Sequence, residues 1–227
     1  MQNKRLDDTE LYESAYGYKE RNSNFRFYIV LLALVAVFFC FRIYFTNAFG
    51  GVVVDGPSMN VTLYDGEQLL MRYTNARTKA DYGDVIIVDV RNYDEFSSKS
   101  DPDFLIKRLI AKEHDNVKCV DGQVYIQYGG TGDFIPLDEP YAYYSGNKAN
   151  YDFDVYEVGE GEVFFLGDNR QNSCDSRYNT GGGSRLDDKL YKEEDIYGVV
   201  PQWAITHQKL LAFFFFPSTA LKGGNGD

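Results

Sequence analysis

The sequence predicts a mainly β protein, an antiparallel-sheet domain behind one N-terminal membrane helix. Two observations carry that fold class. An apolar run near the N-terminus has the length of a bilayer, and after residue 52 the apolar residues fall into short β-branched and aromatic runs bounded by Gly, Asp or Asn. A third observation is negative, since no long stretch of the later part repeats its apolar residues with a period of about 3.6.

The helix comes first. Phe27–Phe41 (FYIVLLALVAVFFCF) holds fifteen residues without a charge, and Ile43, Tyr44 and Phe45 extend it past Arg42 to nineteen. At a rise of about 1.5 Å per residue that segment reaches close to the ~30 Å hydrocarbon core. Arg42 lies near one end, where a long side chain can reach the headgroups. Five acids precede the run and no Ala-x-Ala site follows it, which favours a retained anchor over a cleaved leader. Lys4, Arg5, Lys19, Arg21 and Arg26 stand before the helix, whereas the next base after Arg42 is Arg72. The positive-inside rule then keeps residues 1–26 in the cytoplasm, runs 27–45 through the cell membrane and exports 46–227.

Charge and composition narrow the chemistry. The 227 residues carry 23 Lys and Arg against 34 Asp and Glu, a net of −11. Nucleic acid is excluded as a partner, because phosphate binding needs a basic stripe. Three cysteines without a CxxC pair and two histidines leave little material for a metal centre, and no cofactor is expected.

The predicted strands are 84–90 (DVIIVDV), 104–110 (FLIKRLI), 124–128 (VYIQY) and 162–166 (EVFFL). The glycines at 129–132 and 181–183 mark loops, the second inside a polar insertion reaching about Asp195. Leu210–Phe216 (LLAFFFF) is too short to span a bilayer and reads as a core strand or as an aromatic surface that dips into lipid.

Four separated segments carry the chemistry: Gly56-Pro57-Ser58-Met59-Asn60-Val61-Thr62-Leu63, Tyr82-Gly83-Asp84-Val85-Ile86-Ile87-Val88, Phe104-Leu105-Ile106-Lys107-Arg108-Leu109-Ile110, and Gly167-Asp168-Asn169-Arg170-Gln171-Asn172-Ser173-Cys174-Asp175-Ser176-Arg177. Asp121-Gly122 and Leu137-Asp138-Glu139-Pro140-Tyr141 add two shorter phrases. In this order, behind a membrane helix, they resemble the boxes of type I signal peptidases, the Ser/Lys proteases that remove leader peptides from exported preproteins.

The residues bear a reading of their own beside that resemblance. A serine hydroxyl is a weak nucleophile and needs a base. Neither His114 nor His207 stands in a triad context, and there is no G-x-S-x-G elbow. A lysine serves only as the neutral amine, which burial among apolar groups favours. In a strand over 104–110, Lys107 shares a face with Leu105 and Leu109, while Arg108 points away.

The resemblance implies that Ser58 is the nucleophile, Lys107 the general base and Ser173 the hydroxyl that orients the amine. It implies the Ser58 backbone N–H as oxyanion donor, with Gly56 where some relatives carry a second, hydroxyl donor. Asp168, Arg170, Asp175 and Arg177 are implied as a charged cluster bracing the site. The implied substrates are preproteins with small residues, typically Ala, at the first and third positions before the cut, and the implied surroundings are a lipid bilayer.

Departures and decoys complete the reading. Val61 replaces a usual proline, Ala111-Lys112-Glu113-His114-Asp115 replaces a usual Gly-x-Pro-Gly-Asp turn, and 178–195 is inserted. The altered turn implies a different local geometry. Ser145-Gly146-Asn147-Lys148 matches S-x-x-K without its companion motifs, and the sequon at Asn60 lies too near Ser58 to carry a glycan. Cys119 and Cys174 are both on the exported side, where they can pair or remain thiols.

Overall fold

The computed structural model describes residues 8–75, 79–93, 102–177 and 191–215. Helix α1 (Asp8–Ala48) contains Asn24–Ala48, a stretch of mean hydropathy 2.4 that is apolar and long enough to cross a membrane and of which nothing is buried.

The second unit is built from antiparallel strands. Seven of them, β1 (Phe49–Val53), β2 (Gln68–Tyr73), β3 (Val85–Asp89), β4 (Phe104–Ala111), β9 (Glu162–Leu166), β10 (Tyr191–Lys192) and β11 (Ile196–Val200), form a sheet in the order β1-β2-β11-β3-β4-β9-β10. A second sheet of four takes β5 (Asn116–Val120), β6 (Gln123–Gln127), β7 (Ile135–Pro136) and β8 (Phe153–Glu157) in the order β7-β6-β5-β8. Every strand pair in both sheets is antiparallel, as the predicted fold class requires.

The pleat of β9 explains how the two sheets share residues. Val163 and Phe165 enter one core with Ile86, Val88, Leu105, Leu109 and Tyr191. Phe164 and Leu166 enter the other with Ile110, Val117, Val124 and Ile126. Successive side chains point to opposite faces of a strand, so β9 is apolar on both because both are covered.

The four predicted strands are present as β3, β4, β6 and β9, each within one residue of the expected ends. Two readings are corrected, the core-strand alternative for the apolar tail and the end of the polar insertion. Leu210–Phe215 belongs to a helix, α3 (Gln208–Phe215), which follows a shorter α2 (Gln202–Thr206). A short unbroken apolar run carries no period that separates strand from buried helix. The polar insertion also ends earlier than Asp195, because Tyr191 is fully buried in β10 opposite Val163; residues 178–190 lie outside the described residues.

The altered turn after β4 keeps a demanding shape. His114 has φ 70°, a left-handed conformation that glycine adopts more readily. Asp115 holds the turn from within: its buried carboxylate accepts hydrogen bonds from Lys112 N (2.9 Å), Gly129 N (2.8 Å) and the Tyr82 hydroxyl (2.9 Å).

Candidate active site

Lys107 stands on β4 opposite Ile86 of β3, in the middle of the larger sheet. Its residue is only 3% exposed. The Nζ atom donates to Ser58 Oγ at 2.9 Å and to the Ile106 carbonyl at 2.9 Å. Burial lowers the amine's pKa from 10.5 to about 8, against an opposing pull from Asp175, Cys174 and Asp168. A group that titrates there is substantially neutral in mildly alkaline solution, so its lone pair can accept the serine proton.

Ser58 is half-buried in a tight turn between β1 and β2, where Asn60 N bonds to Pro57 O at 3.1 Å and Thr62 N and Leu63 N both bond to Met59 O at 2.9 Å. Met59 and Leu63 are fully buried and anchor that turn in the domain. Gly56, at φ 85°, gives its N–H to Asp65 Oδ1 at 2.8 Å. That donor is already occupied, whereas the Ser58 N–H has no acceptor among the described residues.

The segment after β9 closes over this turn. Gly167 fits where any side chain would collide, since a Cβ there would lie 2.1 Å from Ser173 Oγ and 2.6 Å from Ser58 O. Asn169 N donates to Ser58 O at 3.0 Å and Asn169 Nδ2 donates to Pro57 O at 3.1 Å. Ser173 Oγ is buried and makes no hydrogen bond. The implied contact from Ser173 to the lysine is therefore not made here, the amine being engaged by Ser58 and Ile106 instead.

The four charges expected to brace the site are all present beside it, but only two of them pair with each other. Arg177 is bidentate to Asp175, with Nε at 2.9 Å and Nη2 at 3.0 Å. Asp168 instead takes the guanidinium of Arg108 (Nε at 2.8 Å) and the hydroxyl of Thr62. Arg170, with no exposed surface, pairs with Glu139. Arg108 also donates to Gly83 O at 2.7 Å and lies 3.9 Å from the Tyr141 ring centre.

Arg108 does point away from Lys107's face, yet it points into protein, at 6% exposure. Thr62, Arg108, Glu139, Gly167 and Asn169 were thus not singled out, although each lies inside a quoted segment. Only their membership of the quoted segments marks them in the sequence, since their burial and their distant partners appear in the fold. The decoys fall away. Ser145 Oγ bonds to Gln171 while Lys148 lies over the Tyr144 ring, and Asn60 Oδ1 is buried. Cys119 is buried, its thiol pushed up to about 12 by burial and by Asp152, and neither it nor Cys174 is in a disulfide.

Comparison with known proteins places the chain in a family. The model of the family "Signal peptidase, peptidase S26" matches residues 24–206. A signal peptidase I of Bacillus licheniformis is 34% identical over 155 residues, covering 67% of this chain and 74% of its own. Signal peptidase I U of Bacillus subtilis is 32% identical over 181 residues, covering 75% and 83%. A solved signal peptidase I of Enterococcus faecalis aligns at 25% identity with a TM-score of 0.37, over 54% of this chain and 97% of that one. The chain belongs to the signal peptidase family S26. It is a peptidase of the signal peptidase I type, and its substrates are preproteins that carry signal peptides.

Proposed function

We propose that this peptidase cuts by a Ser58/Lys107 dyad through an acyl-enzyme. The observation that carries the reading is the 2.9 Å bond between the buried, pKa-lowered amine and the serine hydroxyl. Ser58 Oγ attacks the scissile carbonyl while its proton passes to Lys107 Nζ. The tetrahedral intermediate collapses, the C–N bond breaks, and the lysine returns that proton to the leaving amine. Water, deprotonated by the same amine, then attacks the ester and frees the signal peptide's carboxylate.

Ser58 N–H supplies the oxyanion donor, and a preorganised donor of this kind is worth about 3–4 kcal/mol. Gly56 shapes the turn. Ser173 orients the amine once Ser58 has become an ester and no longer holds it. Asp168, Arg170, Asp175 and Arg177 fix the walls of the site, and no metal or cofactor takes part. Small residues, Ala-x-Ala, precede the cut because shallow pockets reject larger ones.

Residues 27–45 anchor the chain in the cell membrane, with 1–26 in the cytoplasm and the β-rich catalytic portion, 46–227, outside. This orientation follows from the charges flanking the span. The bilayer is then a standing partner, and Ser58 stands only thirteen positions after Phe45, which keeps the nucleophile near the surface where preproteins emerge. Incubation of the intact protein with an Ala-x-Ala precursor, followed by N-terminal sequencing of the product, tests the reading: one cut directly after that site supports it, and a cut elsewhere or none refutes it.

A further inference from the structure

From the 167–177 segment, Asn169 hydrogen-bonds the nucleophile's own backbone. Its main-chain N–H holds Ser58 O at 3.0 Å, and its side-chain Nδ2 holds Pro57 O at 3.1 Å. Two consecutive carbonyls are thus pinned by one residue, itself 7% exposed. Pro57 O accepts a second bond from Asn60 N at 3.1 Å, so its direction is fixed from two sides.

The peptide between Pro57 and Ser58 is trans, the cis bond of the turn being Asn60–Val61. In a planar trans peptide the C=O and the following N–H point in opposite directions. Pinning Pro57 O toward Asn169 therefore turns the Ser58 N–H the other way. That N–H has no acceptor among the described residues, and Ser58 O on its other side is held as well. Gly167, which admits no Cβ against Ser58 O, keeps the clamp close.

We propose that the Asn169 side chain is a positioning residue for the oxyanion: by holding Pro57 O it aims the Ser58 N–H at the developing negative charge. This inference rests on the serine-nucleophile reading above. It differs from bracing by the charged pairs, because it acts on one peptide plane and on one step. Its energetic effect belongs to the tetrahedral state and not to bound substrate, since the charge exists only there.

The test uses the full-length protein in detergent with two variants, Asn169→Ala and Asn169→Leu. Both lose the Nδ2 donor and keep the backbone N–H on Ser58 O, and the leucine also keeps the bulk. Each is measured for precursor cleavage, for affinity toward a peptide aldehyde ending in Ala-x-Ala, whose adduct with Ser58 is tetrahedral, and for affinity toward the corresponding peptide acid. The expected result is a fall in kcat of roughly 10–100-fold with KM within twofold. Aldehyde affinity falls by a comparable factor, peptide-acid affinity does not change, and the acid limb of the pH profile stays where it is in the unsubstituted protein.

Aldehyde affinity within twofold of the unsubstituted protein would overturn the inference. So would a loss shared equally by aldehyde and acid, or a failure of both variants to fold, either of which makes Asn169 a structural residue only. Absence of any aldehyde adduct with the unsubstituted protein would instead refute the serine reading beneath it.

Discussion

Lys107 Nζ lies 2.9 Å from Ser58 Oγ although the two residues are 49 positions apart in sequence. One comes from a turn between two strands and the other from the middle of a strand, and the segment after β9 presses against the first while its aspartate grips the neighbour of the second. Asp168 accepts from Thr62, four residues beyond Ser58, and from Arg108, next to Lys107. One carboxylate therefore spans the serine turn and the lysine strand.

The pH profile follows from the amine. With its pKa at about 8, Lys107 is the neutral base in only a minor fraction below that pH. The expected kcat/KM rises tenfold per pH unit on the acid side and levels off above about 8. Stability moves in the same direction. Between about 8 and 10.5 the unfolded lysine binds more protons than the folded one, so the free energy of unfolding grows with pH across that window. Melting curves of the intact protein and Lys107→Met, compared at pH 7 and pH 10, should diverge more at pH 7, with the methionine variant the more stable there.

Breaking the Arg108–Asp168 pair leaves a buried charge alone. Their side chains are 7% and 0% exposed, so either Arg108→Met or Asp168→Asn should cost about 3–5 kcal/mol. Urea titrations of the two single variants and the double variant check this. The double variant should be less destabilised than the sum of the singles, since it leaves no unpaired charge.

Gly167→Ala should damage the site with little room for relief. The added Cβ would meet Ser173 Oγ and, more rigidly, the Ser58 backbone carbonyl. Overpacking of this kind costs roughly 1–3 kcal/mol, and a displaced Ser58 should lower kcat/KM at least 100-fold. Steady-state cleavage beside a melting curve separates the two effects.

His114→Gly should do the reverse. A left-handed φ of 70° is strained for histidine and natural for glycine, so relief of about 1 kcal/mol is expected where the Asp115 hydrogen bonds persist. A rise in melting temperature without change in cleavage rate would check it.

These expectations show where the sequence was legible. Lys107 was readable because strand alternation puts it between Leu105 and Leu109, and the structure buries all three. Arg108 lies on the opposite face, as the same alternation requires, but alternation does not say that this face is covered too; β4 has protein on both sides. The pairings of Asp168 and Arg170 were beyond local pattern, since their partners Arg108 and Glu139 are 60 and 31 residues away. Strands such as β5 and β8 carry Asn, Lys, Asp and Glu among their apolar residues and gave no run to recognise. The helical part at Leu210–Phe215 was hidden by composition, those six residues all being apolar.

The most direct test of the dyad is cleavage of a purified precursor with an Ala-x-Ala site by the full-length protein, beside Ser58→Ala, Lys107→Ala and Lys107→Arg, from pH 6 to pH 10. A single cut directly after the Ala-x-Ala site, lost in all three variants and half-maximal near pH 8 in the intact protein, is the predicted result. Cleavage that survives in Ser58→Ala, or in Lys107→Arg, whose guanidinium stays charged at every pH used, would contradict it.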